Sequence, residues 1–386
     1  MSKTFAPSSP EVIRRQSGEP YPFSGIWING RHVYIEKILQ EKESSRSPFE
    51  ETTFRFIRDW LSGEEEFEMK TSGSTGPPKP ITITRTQMIA SATRTADRIK
   101  LQKNSTAFVC IDTKYIGGRM MLVRSLVLGL PIMAIDPCAN PLIHIPVDKC
   151  VQFTAFVPYQ LQTILESKHP HLLNGPDKIL IGGAPLNAWT RAQLDRFECE
   201  CYETYGMTET ISHVALRLAN TRLKQPYFEV MPGVEVTQDY RGCLVVSADY
   251  LPHEVVTNDM VELVAPGKFL WIGRWDSVIN SGGVKVSPEK IEQQLATIFH
   301  EHGFQHRFFI AAIPDEKLTN KVVLIIEGVQ FSSEILNKSL AALQSAVSRY
   351  ELPREVYTSL YFVTTETQKI DRNQTLAGVT FHSSLK

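Results

Sequence analysis

One loop near the start of the chain carries an unusual set of hydrogen-bonding and flexible residues, KTSGSTGPPKP at positions 70–80. Its hydroxyl groups can donate hydrogen bonds to an anion, and Gly73 and Gly76 let the backbone amides come close to one. Lys79 adds a positive charge between two prolines. Together these groups are suited to holding the phosphates of a nucleotide. The hydroxyl-bearing residues are Thr71, Ser72, Ser74 and Thr75.

The spacing of this loop differs from that of the Walker A loop. Its glycines and lysine follow the pattern G-x-x-G-x-x-K, and Pro80 stands after the lysine, where a Walker A loop has Ser or Thr. By composition alone the loop is equally typical of a solvated Gly/Ser/Pro turn. The choice between these two interpretations therefore depends on the rest of the chain.

Composition and charge limit the class of protein. The 386 residues are 42% hydrophobic and 22% charged, which allows a substantial core, and the length predicts two or three domains. The formal net charge of −1 provides no field that would attract nucleic acid or an anionic membrane. We therefore expect small molecules as partners, and no nucleic acid.

The chain shows no pattern of a secreted or membrane protein. Its polar N-terminus lacks the apolar stretch of a signal peptide, and the run MMLVRSLVLGLPIMAI is interrupted by Arg124 and Pro131. The six cysteines form no CxxC pair and no zinc-binding spacing. These features predict a reduced, cytoplasmic protein with no membrane insertion.

Up to about residue 227, short apolar runs alternate with helical patterns. Each run ends in Gly, Pro or Asp, as buried strands do before a turn. The alternation predicts an α/β domain with mainly parallel sheets, in which ligands bind at the carboxyl ends of the strands. We expect a pocket at the ends of the last two runs. The runs are TAFVCID, LPIMAID, FTAFVP and KILIGGAP.

The pattern changes from about residue 227 onward. Short strands with Gly and Pro turns predict an antiparallel sheet or a small β-barrel-like part. Further on, a helix entered at Ser287 and Pro288, a pair of strands and a second helix predict a small, mobile α+β domain. The predicted domains are 1–275 and 276–386, joined by a short hinge at Asp276.

Six segments, in a fixed order between residues 70 and 372, resemble the signatures of the adenylate-forming enzymes. This superfamily contains acyl-CoA synthetases, adenylation domains of peptide synthetases and luciferases. Two positions depart from its usual signatures, since Asn258 and Gln368 stand where glycine is usual. The segments are TSGSTGPPK (71–79), IGGAPL (181–186), YGMTET (205–210), TNDMVEL (257–263), GRWDSVINSGGVKVSPEKIE (273–292) and TETQKIDR (365–372).

The resemblance implies an AMP-forming acid–thiol ligase that works in two half-reactions. A carboxylate attacks the α-phosphate of ATP and releases pyrophosphate; after the small domain rotates, a thiol, usually coenzyme A, attacks the acyl-adenylate. Glu209 is implied to hold Mg²⁺, which prefers carboxylate and phosphate oxygens, and Thr208 to donate to the α-phosphate. Lys369 is implied to be the catalytic cation, because a charge aimed at developing negative charge lowers the barrier.

The other matched positions are implied to bind the nucleotide or the thiol. Asp276 is the implied pivot, Gly282 and Gly283 a narrow passage for the thiol arm, and Lys285 a contact to nucleotide or coenzyme A. Taken singly, such residues are more often core tyrosines, surface ion pairs or solvated lysines. Nucleotide contacts are implied for Thr71, Ser72, Gly73, Ser74, Thr75, Gly76, Lys79, Gly182, Gly183, Ala184, Tyr205, Asp259 and Arg274.

The acid is predicted from a wall of partly aromatic residues that suits a ring: Tyr115, Phe156, Gly206 and Met207. The runs with Tyr115, Arg119 and Arg124 resemble the o-succinylbenzoate–CoA ligases of menaquinone biosynthesis. A second carboxylate on such an acid is best held by an arginine fork, and Arg119, at the start of a helix, is the predicted residue. Arg119 and Arg124 could equally extend from a core helix to water.

Other functions remain open at this point. About 70 residues precede the phosphate loop, fewer than in the relatives, so the pocket and its specificity could differ. Another aryl-acid–CoA ligase, or an adenylating enzyme that loads a separate carrier protein, would fit the same signatures. A nucleotide-binding pseudoenzyme is disfavoured because the main functional positions are all occupied, namely Lys79, Glu209, Asp259, Arg274 and Lys369. The oligomeric state, monomer or homodimer, is not predicted.

Overall fold

The computed structural model describes residues 23–70, 79–103, 105–220, 225–365 and 370–384. The chain forms two compact units. Unit 1 contains the residues up to Gly183 together with Phe197–Leu218, and unit 2 contains Ala184–Arg196 and the residues from Ala219 onward. The domain boundary predicted at Asp276 lies inside unit 2 and stays a prediction.

A mainly parallel sheet forms the centre of unit 1. The strands of this unit are β1 (Gly25–Ile28), β2 (Arg31–Tyr34), β3 (Glu66–Lys70), β4 (Pro80–Thr84), β5 (Ala107–Val109), β6 (Ile132–Ala134), β7 (Phe153–Phe156), β8 (Lys178–Ile181), β9 (Glu200–Gly206) and β10 (His213–Leu218). The sheet has the order β10-β9-β8-β7-β5-β6-β1-β2. The pairs from β1 through β6, β5, β7 and β8 to β9 are all parallel, which confirms the predicted α/β class.

Helices connect these strands. They are α1 (Ile35–Leu39), α2 (Pro48–Leu61), α3 (Arg85–Ile99), α4 (Ile116–Leu128) and α5 (Pro158–Glu166). Helix α4 can start close to the end of β5 because Gly118 lacks a side chain: a Cβ atom there would lie 2.4 Å from the carbonyl oxygens of Ile111 and Asp112. It ends at Gly129 in the left-handed conformation that glycine favours. Short 3₁₀ turns occur at Pro141–His144, Pro170–Asn174 and Thr208–Thr210.

Strands β3 and β4 pair as an antiparallel hairpin outside the main sheet, and Lys70 lies opposite Pro80. The hydroxyl-rich segment connects these two residues, so the structure fixes both of its ends at one point. The residues within it, 71–78, lie outside the described ranges.

Unit 2 contains two sheets. Its strands are β11 (Phe228–Val230), β12 (Val234–Gln238), β13 (Cys243–Ala248), β14 (Val255–Ala265), β15 (Lys268–Arg274), β16 (Ile279–Ser281), β17 (Val284–Val286), β18 (Phe308–Asp315), β19 (Thr319–Glu327), β20 (Glu355–Ser359) and β21 (Thr380–Ser384). The first sheet is antiparallel in the order β12-β13-β14-β15-β11, as the short strands predicted. The second has the order β17-β16-β19-β20-β21, with β18 paired to β19. The barrel-like closure stays a prediction.

The helices of unit 2 are α6 (Ala188–Leu194), α7 (Pro288–His302), α8 (Ser333–Gln344) and α9 (Arg372–Leu376), and a 3₁₀ turn covers Trp275–Ser277. Ile291, Leu295 and Phe299 of α7 recur every four residues and are buried in one core. Ser287 is the N-cap residue as predicted, but its side chain makes no capping hydrogen bond. Its hydroxyl lies 3.3 Å from Glu289 Oε2 instead.

Two predictions about the whole chain can be compared with the structure. In the described part of the chain, no helix combines the length and the apolar character that crossing a membrane requires. All six cysteine side chains are free thiols.

Candidate active site

The predicted site residues fall into two groups, one in each unit. Unit 1 carries Lys79, Tyr115, Arg119, Phe156, Gly182, Gly183, Tyr205, Gly206, Met207, Thr208 and Glu209. Unit 2 carries Ala184, Asp259, Arg274, Asp276, Gly282, Gly283 and Lys285. Residues Thr71–Gly76 and the predicted catalytic Lys369 lie outside the described residues.

Two glycines follow the carboxyl end of β8, where the adenine-contacting turn is predicted. A Cβ atom on Gly182 would lie 2.3 Å from Thr204 Oγ1 on the neighbouring strand β9. Gly183 has φ +96°, a conformation that side chains rarely adopt. Close packing at Gly182 and backbone conformation at Gly183 therefore favour glycine, and they leave bare backbone at the edge where a base is expected.

The second nucleotide signature forms a tight turn at the end of β9. The amide of Met207 donates to Thr210 Oγ1 at 3.0 Å, and this hydroxyl donates to the carbonyl of Ser212 at 2.8 Å. The turn buries Thr208 and leaves Glu209 exposed. One accessible carboxylate fits Mg²⁺, which takes its other ligands from phosphate and water and would neutralise phosphate charge.

Gly206 lies opposite His213 in the antiparallel pair of β9 and β10. A Cβ atom on Gly206 would lie 2.4 Å from both the carbonyl oxygen of Ser212 and the Cα atom of His213. This close approach is a structural reason for glycine that is independent of its predicted contact with the acid.

We predict that Gly206→Ala lowers the free energy of unfolding by about 2 kcal/mol or more, because rigid backbone must move to admit the methyl group. Urea unfolding checks this. Gly117→Ala is the control, since its Cβ atom would have only one neighbour, at 3.9 Å, and we expect it to be neutral or stabilising. Equal stability of Gly206→Ala and the wild type would contradict the close approach.

Arg124 of α4 is a buried cation. It is 3% exposed, and within the described residues it forms no ion pair with a carboxylate. One terminal nitrogen donates to Ser212 Oγ at 2.6 Å and lies 3.5 Å from His213 Nδ1, while Nε has no partner. Burial lowers the pKa of Arg124 to about 9, so it remains charged at neutral pH. Burying a charge without a partner of opposite sign costs free energy, so the surroundings of the Arg124 guanidinium are suited to binding an anion.

Arg119 has different surroundings from Arg124. Its guanidinium donates to the carbonyl oxygens of Thr113 and Glu68, both at 3.2 Å, and lies over the ring of Phe56. It lines a cavity of about 370 Å³ together with a second arginine, Arg55, and four acidic residues, Asp59, Glu64, Glu66 and Glu68. Burial and the nearby Arg55 lower the pKa of Arg119 to about 10. The acidic residues outnumber the two arginines around this cavity, which makes it less suited to a substrate anion, so the geometry favours Arg124 over Arg119 as its partner.

His213 completes the buried cluster. Its Nε2 atom lies 3.0 Å from Thr95 Oγ1, and burial, with a smaller contribution from Arg124, holds the pKa of the imidazole well below 6.5. The ring is therefore neutral in the folded protein at neutral pH. Ser212 and His213 were not among the predicted site residues, although the polar pair in ISHVAL directly follows the nucleotide signature.

We predict an acid sensitivity that depends on His213. Since the unfolded chain binds a proton near pH 6.5 that the folded chain does not, the free energy of unfolding falls below this pH, by at most about 1.4 kcal/mol per pH unit. Urea unfolding at pH 7.5 and 5.5 measures this difference. His213→Gln should reduce it, and His144→Gln, at an exposed position of the same unit, should not. An unchanged difference in His213→Gln would contradict a neutral buried ring.

The other predicted acid-pocket residues are placed as follows. Tyr115 is the half-buried N-cap residue of α4, and Lys114 Nζ lies 4.9 Å from its ring centroid. Phe156 ends β7 and is fully buried, so its ring is part of the core of unit 1. Met207 and Tyr205 are half-buried beside Gly206.

In unit 2, three charged residues predicted to serve the nucleotide and the hinge lie together. Asp259 of β14 lies opposite Arg274 of β15. Arg274 donates to both carboxylate oxygens of Asp276, at 2.8 and 2.7 Å, and lies 3.8 Å from Asp259 Oδ1. Trp271 Nε1 donates to the same Oδ1 atom at 3.2 Å. The guanidinium is thus shared between the predicted ribose acceptor and the predicted pivot.

The two glycines predicted as a thiol passage form the turn between β16 and β17. Gly282 and Gly283 have φ +60° and +84° between the paired residues Ser281 and Val284. Two positive φ angles in a two-residue hairpin require glycine or a similarly tolerant residue. The turn therefore explains both glycines, and the passage stays a prediction. Lys285 is exposed, with its Nζ atom 4.5 Å from the Trp275 ring centroid.

The segment that carries Lys369 is fixed at both ends. Thr364 pairs with Ile370, and the amide of Asp371 donates to the carbonyl of Val363 at 2.8 Å. Arg372 donates to Glu292 Oε2 of α7 at 2.8 Å. These contacts join two of the six signature segments within unit 2.

Comparison with known proteins identifies the class. The model of the AMP-binding enzyme family matches residues 67–238. A crystal structure from Dyadobacter fermentans, an acyl-CoA synthetase (AMP-forming)/AMP-acid ligase II-like protein, is 39% identical, covers 88% of this chain and 97% of that chain, and has a TM-score of 0.58. The chain belongs to this family of AMP-forming acyl-CoA synthetases.

More distantly related proteins are named for the acid on which they act. The 2-succinylbenzoate–CoA ligases of Haemophilus influenzae and Oceanobacillus iheyensis are 24% and 23% identical over 74% and 83% of this chain. The chain spans 65% and 72% of their lengths. The o-succinylbenzoate–CoA synthetase of Bacillus subtilis, solved with its acyl-adenylate, is 18% identical over 80% of this chain and 68% of that chain, with a TM-score of 0.69, and shares the fold.

Proposed function

We propose that the protein is an ATP-dependent acid–CoA ligase that acts through an acyl-adenylate, with o-succinylbenzoate as its acid. The named relatives support the chemistry. The choice of acid is based on the burial of Arg124. Its Nε atom has no partner, and the residue forms no ion pair in the described part of the chain. An acid with two carboxylates can present one to ATP and the other to this cation.

The reaction follows from the proposed roles. A carboxylate oxygen of the acid attacks the α-phosphorus of ATP, the bond to the bridging oxygen breaks, and pyrophosphate leaves. Lys369 stabilises the negative charge that develops, Thr208 donates to the α-phosphate, and Asp259 accepts from the ribose hydroxyls. The sulfur of coenzyme A then attacks the acyl carbon and loses its proton, and AMP leaves with the former carboxylate oxygen.

The second carboxylate would be recognised by Arg124 and Ser212. A guanidinium offers paired donors that match two carboxylate oxygens. The Ser212 hydroxyl accepts a hydrogen bond of 2.6 Å from Arg124, and it can turn to donate its own proton to the carboxylate as well. Ser212 and His213 are each 9% exposed and Arg124 is 3% exposed, so the cation lies just behind the surface.

The cellular setting belongs to the same proposal. An o-succinylbenzoate–CoA ligase would serve menaquinone biosynthesis, require Mg²⁺ and work in the cytoplasm, where ATP and coenzyme A are available. We expect small molecules as its partners.

Acid-dependent pyrophosphate release from ATP tests this function. The acids are o-succinylbenzoate, benzoate, a phenylpropenoic acid and a fatty acid, each with and without coenzyme A. We expect release with o-succinylbenzoate that is sustained only when coenzyme A is present. Release with another aromatic acid would overturn the choice of acid, turnover only with a phosphopantetheinyl carrier protein would overturn the acceptor, and no release with any acid would overturn the function.

A further inference from the structure

Glu289 carries a buried carboxylate that has no role in the proposed reaction. It lies in the first turn of α7 and is 8% exposed. The positive end of the helix dipole favours a carboxylate there, but a buried charge also needs hydrogen-bond donors in place of water. The donors that surround Glu289 therefore indicate what its position can serve.

Two serine hydroxyls lie at the carboxylate. Ser277 donates to Glu289 Oε1 at 2.6 Å, and Ser287 Oγ lies 3.3 Å from Glu289 Oε2. Ser277 Oγ also lies 2.9 Å from the carbonyl oxygen of Arg274, but the ionised carboxylate is closer and is the stronger acceptor. The short hydrogen bond therefore attaches the end of the 3₁₀ turn Trp275–Ser277 to the first turn of α7.

The same carboxylate lies against the chain that precedes the turn. A Cβ atom on Gly273 would lie 2.7 Å from Glu289 Oε2 and 2.5 Å from Ser287 Oγ. The end of β15 can approach the carboxylate this closely because Gly273 has no side chain. Glu289 therefore lies against the chain on both sides of Arg274 and Asp276.

The turn between these two contacts carries two predicted functional side chains, since Arg274 donates to both carboxylate oxygens of Asp276. The backbone hydrogen bond that closes the turn joins the amide of Val278 to the carbonyl of Trp275. It is 3.4 Å long, beyond the usual range for such bonds. Because this bond is weak, a side chain that holds the turn from outside can determine its conformation.

We propose that Glu289 is a positioning residue: its carboxylate holds the chain at Gly273 and at Ser277, and thereby fixes the turn between them and the orientation of Arg274. The significance of this role rests on the proposed function, in which Arg274 serves the nucleotide and Asp276 is the pivot of the small domain. The contacts of Glu289 do not depend on that function.

Hydrogen exchange at the Val278 amide in the full-length, ligand-free protein tests the proposal. We expect about tenfold faster exchange in Glu289→Ala than in the wild type, as loss of a hydrogen bond to a charged group predicts. Glu289→Gln keeps an oxygen acceptor for the Ser277 hydroxyl, so its exchange should stay within about threefold of the wild type. Wild-type exchange in Glu289→Ala, or equally fast exchange in both variants, would overturn the proposal.

A double-mutant cycle tests whether Glu289 acts through Ser277. Ser277→Ala removes the same hydrogen bond from its other end and should exchange like Glu289→Ala. The variant with both substitutions should exchange no faster than either single one, because the bond can be lost only once. Multiplied effects in the double variant would show that the two side chains act independently and would overturn the proposal.

Two controls separate positioning from a general loss of stability. Glu301→Ala removes an exposed carboxylate of the same helix and should leave exchange at Val278 unchanged. The amide of Leu324, in the buried strand β19 of the same unit, should exchange at the wild-type rate in every variant. Equal acceleration at Leu324 and Val278 in Glu289→Ala would show that the carboxylate only stabilises the unit, and the proposal would be wrong.

The outcome for the proposal can be separated from the outcome for the function. The exchange results support or overturn the role of Glu289 whether or not any acid gives pyrophosphate release. In an active enzyme, we further expect Glu289→Ala to raise KM for ATP about threefold with little change in kcat, and Glu289→Gln to restore it, since Arg274 regains its orientation. A fall in kcat with unchanged KM would contradict this positioning of Arg274.

Discussion

Replacing Lys369 by alanine is expected to lower the rate of acyl-adenylate formation by about 100- to 1,000-fold, the usual effect of removing one group that stabilises transition-state charge. Thioester formation from supplied acyl-adenylate should be largely retained, because that step develops no charge at the α-phosphate bridge to pyrophosphate. Separate assays of pyrophosphate release and of acyl-CoA formation from synthetic adenylate measure the two steps.

A matched control keeps this prediction specific. Lys338→Ala, at an exposed position of α8, should leave both rates within about twofold of the wild type. Equal loss of both steps in Lys369→Ala would show that the lysine supports the whole site and would contradict its role in adenylation. Unchanged adenylation would place the catalytic cation elsewhere.

Replacing Arg124 by methionine should lower kcat/KM for o-succinylbenzoate by about 100-fold or more, since the second carboxylate loses a buried charged partner. The monocarboxylic analogue that keeps only the reacting carboxylate should be affected less than about threefold. The melting temperature should stay the same or rise, because an apolar side chain of similar length replaces a buried cation without an ion pair. Steady-state kinetics with both acids and thermal unfolding test these results together.

Arg119→Met is the control for this experiment. Since Arg119 lines a cavity in which acidic residues predominate, we expect this variant to leave the preference for the dicarboxylic acid within about threefold. If Arg119→Met abolished the preference and Arg124→Met did not, the original assignment to Arg119 would stand and the one argued from burial would be wrong.

The fold was largely predictable because its signals are local. The runs that became β5, β6, β7 and β8 are short, apolar and bounded by turn residues, and a buried parallel sheet requires that pattern. The pair β18 and β19 was likewise predicted as a hairpin-like unit. The end of α8 was predicted wrongly: the apolar spacing predicts one helix over SSEILNKSLAALQSAVSRYE, to Glu351, but the helix ends at Gln344.

The site was only partly predictable because much of it depends on distant contacts. The bond between Arg124 and Ser212 joins residues 88 positions apart, and it depends on where β10 lies beside β9. Neither helix spacing nor a motif indicates that Arg124 and Ser212 come together in the fold. Arg119 and Arg124 therefore looked equivalent in the sequence. By contrast, Gly282 and Gly283 carried a local signal for a two-residue hairpin turn that the functional assignment overlooked.

The most direct test of the central claim follows an oxygen atom. The acid is labelled with ¹⁸O in its carboxylates and incubated with the protein, ATP and coenzyme A, and the AMP is analysed by mass spectrometry. An acyl-adenylate requires that one carboxylate oxygen become the bridge to phosphorus and remain on AMP when the thiol takes the acyl group, so we predict AMP that carries one ¹⁸O. Unlabelled AMP, or ADP and phosphate in place of AMP and pyrophosphate, would contradict the account.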